Sequence, residues 1–105
     1  MSVVVINAVT VPSERRETFE QRFAARAGQV SGAPGFEAFE LLRPAADDDR
    51  YLVYTRWTAR EDFEAWMGST RFAAGHRQHA EGGPVARESE VWEFEVLQGE
   101  YAAAV

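Results

Sequence analysis

The sequence contains no cysteine and only two histidines, and these shortages restrict the chemistry open to the chain. Without cysteine it forms no disulfide and binds no metal through a thiolate. It also lacks a run of about 18 apolar residues, so we expect no membrane span. Basic residues are in the minority, and the net charge is −6. Because phosphate neutralisation needs a basic surface, we expect no nucleic-acid partner.

Length and composition predict one soluble globular domain. The chain has 105 residues, of which 46% are hydrophobic and 27% are charged. A chain of this size can bury a single core. We expect the domain to span residues 1–105, with a core over 3–97 and a tail over 98–105. The apolar segment 3–11 has no basic leader and no small-residue cleavage site, so we expect no signal peptide and a cytoplasmic location.

Hydrophobic spacing predicts four strands and two main helices. The strands are expected over 3–11, 36–43, 50–57 and 88–97. One helix is predicted after Pro12, with Ser13 as its N-cap and Phe19 and Phe23 on its buried face. The second helix is predicted from Arg60. The resulting order, β-α-β-β-α-β, predicts an α+β, ferredoxin-like fold with both helices on one face of a four-stranded antiparallel sheet.

The sheet face opposite the helices should be polar in a monomer, but the sequence makes it apolar. In one predicted strand Tyr51, Val53 and Trp57 share one face and Leu52 and Tyr54 the other, so both faces of the sheet are largely apolar. An apolar surface of this size calls for a partner. We therefore predict a homodimer in which the two sheets face each other.

The segment 60–79 contains both histidines and is the centre of the predicted site. Phe63, Trp66 and Met67 have the spacing of one buried helix face. Gly68 then interrupts the helix, and Ser69 is a plausible N-cap for a second short helix. The break frees this second helix to turn a histidine toward the cavity that the tryptophan faces.

Three polar residues outside that segment are candidate binding groups. Asn7 lies within the apolar first strand, where its amide either bonds to neighbouring backbone or points a donor into a ligand cavity. Arg22 and Arg26 lie one helical turn apart. They are either solvated surface charges or anchors for a carboxylate, which the arginine fork binds through both oxygens.

Asn7, Trp66 and His76 resemble the Asn-Trp-His set of the IsdG-type haem-degrading monooxygenases, which belong to the antibiotic biosynthesis monooxygenase superfamily of dimeric α+β barrels. The segments VVVINAVTVP, PGFEAFELLRP, RYLVYTRW and EDFEAW resemble mycobacterial members. The spacing from Trp66 to His76, with Phe72 between them, is instead similar to staphylococcal members. The mycobacterial pattern would place its histidine where this chain has Gly75. His76 is therefore the expected ligand, and His79 is the reserve.

The resemblance implies that haem binds between the sheet and the helices and serves as both substrate and cofactor. His76 would be the proximal axial ligand of the iron. Asn7 would donate a hydrogen bond on the open, oxygen-binding side, and Trp66 would press on the macrocycle and ruffle it. The reaction would consume O2 and electrons from an external donor, delivered by an unidentified reductase, and would release iron. The remaining expected haem contacts are Phe23, Arg22, Arg26, Phe63 and Phe72.

Two other functions fit the same residues. The superfamily includes cofactor-independent monooxygenases that oxidise aromatic or quinol substrates, and in such an enzyme Asn7 and Trp66 would bind the substrate directly. His76 would then be a pocket or surface residue. The third possibility is a non-catalytic dimer that binds and carries haem. Dependence on His76 separates the first function from the second, and reductant-dependent turnover separates the first from the third.

Overall fold

The structure is a computed structural model and describes residues 1–25, 28, 30–68 and 88–103. Its elements follow the predicted order, which confirms the ferredoxin-like α+β fold. In chain order they are β1 (Val3–Thr10), a 3-10 turn (Ser13–Arg15), α1 (Arg16–Ala25), β2 (Phe36–Leu42), β3 (Arg50–Trp57), α2 (Arg60–Met67) and β4 (Glu88–Glu95).

The four strands form one antiparallel sheet in the order β2-β3-β1-β4. Residues directly opposite each other on neighbouring strands point to the same face. Asn7 of β1 lies opposite Val53 of β3 and Val91 of β4. We call their side of the sheet the helix face, because Val9 on the same side packs against Phe19 of α1. The opposite side is the far face.

The best-buried part of the core lies between α1 and the sheet. Phe19 is only 1% exposed, and it packs with Val9, Val11 and Tyr51. Its ring centroid lies 4.9 Å from those of both Tyr51 and Phe23. Burying a side chain of this size stabilises the fold by about 1.5–3 kcal/mol. The helix stripe predicted from Phe19 and Phe23 therefore anchors α1 to the sheet.

The N-terminus of the first helix differs from the prediction. Ser13 lies inside the 3-10 turn, whose N-cap is Pro12, and no side chain caps it. The Ser13 hydroxyl lies 3.5 Å from the Glu14 carboxylate instead. The prediction that Ser13 is the N-cap was wrong, because the chain enters the helix through a tighter turn that places Ser13 within it.

Apolar residues alternate imperfectly along β2, with Phe36, Ala38 and Leu42 spaced against Phe39 and Leu41, and this irregularity has a structural cause. The pairing register with β3 shifts between Phe36 and Ala38, which pair with Trp57 and Arg56 respectively. This irregularity places Phe36 on the helix face, where its ring contacts Trp57 edge-on at 5.8 Å between centroids. A β-bulge redirects side chains in this way.

The far face carries apolar residues, as the prediction of an apolar face opposite the helices requires. Trp92 lies opposite Ile6, and Phe94, which is 51% exposed, lies opposite Val4. Beyond β4, the Val96 amide donates a hydrogen bond to the Ser2 carbonyl at 2.9 Å. Within the described ranges, no helix is long and apolar enough to cross a membrane.

Candidate active site

The floor of the candidate site is the middle of the sheet on its helix face. Asn7 lies at the centre of this floor, with Val53 on one side and Val91 on the other. Val91 is 61% exposed, so the floor is open next to β4. An amide flanked by two valines has few polar neighbours available within the sheet.

Asn7 is half-buried, and its Oδ1 atom is buried without a hydrogen-bond partner among the described residues. A buried polar atom without a partner costs about 1–3 kcal/mol, and native proteins retain few of them. The oxygen and the nitrogen of an Asn side-chain amide are nearly identical in shape. Asn7 can therefore place either a hydrogen-bond acceptor or a donor at the Oδ1 position. Of the two sequence-based interpretations, the one in which Asn7 faces a ligand accounts for this atom better than a fully bonded core amide.

One wall of the site is formed by α1 and the strand beneath it. Phe23 is half-buried, and its ring stacks on that of Phe39 with the centroids 6.4 Å apart. Arg22 precedes it and is also half-buried. Phe23 and Phe39 therefore give this wall an aromatic surface. Arg26, the second predicted anchor, lies outside the described residues.

A charged cluster fixes α1 at the end of the sheet away from α2. Glu20 accepts hydrogen bonds from Arg43 at 2.8 and 2.9 Å, and it also accepts one from the Tyr51 hydroxyl. These bonds, first that of Arg43 and then that of Tyr51, hold the pKa of Glu20 below its usual range. Burial, followed by the neighbouring Glu20 carboxylate, raises the pKa of Tyr51. The cluster ties α1 to β3 and to the residue that follows β2.

The other wall is formed by α2. Phe63 and Trp66 are half-buried and both pack on Trp57 of β3, with ring centroids 5.9 and 5.8 Å from it. Met67 is 44% exposed, so the expectation that it shares their buried face was wrong. The stripe of α2 that contacts the sheet contains Phe63 and Trp66 but not Met67. The helix ends at Met67, and Gly68 is its C-cap. The sequence had predicted that Gly68 interrupts the helix.

Four predicted site residues lie outside the described residues, namely Arg26, Phe72, His76 and His79. Within the described part of the chain, no group of three or more His, Cys, Asp or Glu side chains could hold a metal ion.

A groove of about 300 Å³ lies on the far face and is separate from this site. Leu42, Leu52 and Trp92 line it together with Arg43 and Arg50, among others. Leu52 pairs with Ala8 and Trp92 pairs with Ile6, which places the groove on the side of the sheet opposite Asn7. It belongs to the surface for which we predict a second copy.

Sequence reasoning missed two features of the site. Trp57 supports both aromatic residues of α2, and Tyr51 supports α1 through Glu20. The alternation of β3 placed both residues on one face of the strand, so part of the signal was present. The helix residues that Trp57 and Tyr51 contact depend on how the helices cross the sheet. The spacing of residues within a strand does not determine that crossing.

Comparison with known proteins identifies the family. Residues 2–78 match the model of the antibiotic biosynthesis monooxygenases. The chain is 44% identical over 99 residues to the Heme oxygenase (mycobilin-producing) of Mycobacterium tuberculosis, covering 92% of this chain and 90% of that protein. It is 34% identical over 76 residues to a Heme-degrading monooxygenase of Bacillus thuringiensis, covering 70% of each.

Solved structures agree with the sequence comparison. The chain resembles the heme-degrader MhuD of Mycobacterium tuberculosis with two hemes in its active site, with a TM-score of 0.81 and 42% identity over 94% of this chain and 99% of that one. It also resembles SnoaB, a cofactor-independent oxygenase of Streptomyces nogalater, with a TM-score of 0.73 and 26% identity over 93% and 95% of the two chains. The chain therefore belongs to the antibiotic biosynthesis monooxygenase family, as its sequence motifs predicted.

Proposed function

We propose that this protein is a haem-degrading monooxygenase, which binds haem on the helix face and opens the porphyrin ring with O2 and electrons from an external donor, releasing iron. The observation that carries this proposal is the 44% identity to a heme oxygenase over 92% of the chain. The match extends over the strands and helices that build the site, and is not confined to a short motif.

The described residues fit a flat aromatic ligand. Phe23 on one wall and Trp66 on the other offer aromatic surface, and Asn7 on the floor has a buried amide atom without a partner among the described residues. Ligand pockets of this kind are mostly apolar, with a few polar groups that fix orientation. These three positions support the proposal that the ring lies between α1 and α2.

When bound, haem supplies the iron that activates O2, and the porphyrin is also the substrate. Asn7 would present its amide N–H to the oxygen-binding side of the bound haem, where it would stabilise negative charge that develops on oxygen. Trp66 would contact the ring from α2 and bias its shape. Arg22 and Arg26 would hold the carboxylates of haem, and Phe23, Phe63 and Phe72 would supply apolar contacts.

His76 is the proposed axial ligand. A neutral imidazole is a suitable ligand for haem iron, and the chain has no cysteine to compete with it. The resemblance of the ten-residue spacing from Trp66 to that of staphylococcal family members supports His76 rather than His79. His79 would lie about one helical turn further along and is the reserve.

The active form is proposed to be a cytoplasmic homodimer. The far face carries Ile6, Leu52, Trp92 and Phe94, of which Phe94 is more than half exposed. A stable interface buries about 1,600 Å² in total, and a second copy of this face supplies a matching apolar surface. Each helix face then remains accessible to haem and to the reductase that delivers electrons.

The test is a titration with haemin followed by addition of a reductant. Purified protein should produce a saturable Soret band, and ascorbate with O2 should then make that band decay as an open tetrapyrrole and chelatable ferrous iron appear. Catalase must be present so that stray peroxide does not destroy haem on its own. Tight binding without decay would identify a haem carrier and would contradict the proposal.

The likeness to SnoaB favours one second candidate, a monooxygenase that acts on aromatic or quinol substrates without a cofactor. In that case Asn7 and Trp66 bind the substrate itself. A quinol that the protein oxidises at an unchanged rate after complete removal of haem and metals would support this function. Such activity in the absence of any haem degradation would replace the first proposal.

A further inference from the structure

Trp57 is a completely buried residue at the end of β3, directly beneath α2. It is 0% exposed. Its ring centroid lies 5.8 Å from that of Trp66, 5.9 Å from that of Phe63 and 5.8 Å from that of Phe36. Trp66 therefore rests on a side chain that is itself enclosed by aromatic rings.

Other described contacts hold the opposite end of α2. Arg60 at its first residue forms an ion pair with Glu93 of β4 at 2.8 Å. Asp62, in its first turn, packs against Gly35, whose φ of 77° and missing side chain permit the close approach. Both contacts precede Phe63, whereas Trp66 lies in the last turn. Trp57 is the described aromatic contact nearest to that last turn.

A helix of eight residues is not stable on its own, so tertiary contacts set its position. We infer that Trp57 is a positioning residue, which sets the height and angle of Trp66 above the sheet and so controls how Trp66 meets the macrocycle. This inference rests on the proposed function. A functional side chain needs this kind of support, because a displacement of about 1 Å at a reacting centre can cost about 100-fold in rate.

Trp57 can be replaced without the loss of a described hydrogen bond. Nε1 is buried and has no hydrogen-bond partner among the described residues. Trp57→Phe therefore removes ring area without breaking a described hydrogen bond, while Trp57→Leu removes the aromatic platform entirely. The two variants form a graded series in which Trp66 gains progressively more room.

The first measurement uses haem-free protein and backbone hydrogen exchange. Trp57→Leu should accelerate exchange in the last turn of α2 about tenfold more than in β1 and β3, because local support is lost. Val11→Ala is the matched control, since Val11 is also 0% exposed but lies eight residues along the sheet from Val3, which pairs with Trp57. That control should destabilise the protein without singling out α2. Equal acceleration of α2 in both variants would overturn the inference.

The second measurement is a double-mutant cycle on turnover. Trp57→Phe should slow haem degradation about tenfold, with ferric haem affinity changed less than about threefold. In a Trp66→Ala background, Trp57→Phe should have no further effect, because residues that act through one another are not additive. Additive losses would make Trp57 a general structural residue and would refute the positioning role. If wild type degrades no haem, the proposed function fails, and the exchange measurement alone decides whether Trp57 supports Trp66.

Discussion

The phenol of Tyr51, which is fully buried beneath α1, donates a hydrogen bond to the Oε2 atom of Glu20 on that helix. Arg43 binds the same carboxylate through two nitrogens, at 2.8 and 2.9 Å. A charge on α1 is thus tied to β3 and to the end of β2. The ionised Glu20 carboxylate therefore adds to the stability of the contact between α1 and the sheet.

Acid should weaken the protein through Glu20. Its pKa lies below the usual value of 4.5, chiefly because of Arg43, so the folded state binds a proton there less readily than the unfolded state does. The resulting stabilisation is complete above pH 4.5 and is lost as the pH falls through the folded-state pKa. Glu20→Gln should therefore lower the melting temperature at pH 7 and have a smaller effect at pH 3.

The measurement is thermal unfolding at a series of pH values, with Glu14→Gln as the control. Glu14 is exposed in the 3-10 turn, so its replacement should change little. Tyr51→Phe should cost about 1 kcal/mol, or about 4–8 °C, because one hydrogen bond to the carboxylate is lost. A penalty for Glu20→Gln that is independent of pH would contradict this account.

Axial ligation should depend on His76. His76→Ala should abolish the optical signature of the axial bond in the complex with ferric haem, because no other imidazole has the expected spacing from Trp66. His79→Ala is the matched control and should keep that signature. The reverse pattern would move the ligand one helical turn along the chain.

The sequence predicted the fold and the residues that share a face in β3, but the register shift in β2 puts Phe36 on the face of Phe39 and Leu41 and not with Ala38 and Leu42, as the sequence had suggested. The alternation in β3 correctly placed Tyr51, Val53 and Trp57 on one face, because a strand has a side-chain period of two. The helix face of α2 was predicted less well. Met67 has the right spacing but is exposed, because burial of a helix residue depends on where the helix crosses the sheet.

The sequence predicted those features of the candidate site that depend on one residue alone. Asn7 could be recognised as an amide in an apolar strand, and its Oδ1 atom has no hydrogen-bond partner among the described residues. Its role in the site stays a prediction. The support that Trp57 gives to Trp66 could not be predicted, because it joins residues on two elements whose relative placement the sequence does not state. His76 lies outside the described residues, and its role stays a prediction.

Dimerisation should depend on the far face. Leu52→Glu places a charge in the middle of the proposed interface and should weaken association at least about tenfold, since burying an unpaired charge is costly. Met67→Glu is the control, because Met67 is an exposed apolar residue on α2. Sedimentation at micromolar concentration should give twice the chain mass for wild type and for the control. A folded wild-type monomer would contradict the dimer.

Trp66 should affect turnover more than binding. Trp66→Phe keeps an aromatic ring on Trp57 but reduces the surface that meets the macrocycle, so degradation should slow about tenfold while the axial-ligand spectrum stays unchanged. Tyr101→Phe is the control, because Tyr101 is an exposed aromatic residue outside the site, and it should degrade haem at the wild-type rate. A loss of haem affinity equal to the loss of rate would show that Trp66 only binds haem.

Asn7→Ala tests the central claim most directly, because it separates a catalytic site from a haem carrier. Removing this amide should leave ferric haem affinity within about threefold, and should not reduce the stability of the haem-free protein, since Oδ1 has no partner among the described residues. The measurement is single-turnover decay of the Soret band with ascorbate and catalase, with ferrous iron trapped by a chelator. We predict that decay slows by about 10²–10³, the typical cost of one lost donor to a developing charge. Decay at the wild-type rate in Asn7→Ala would contradict the account.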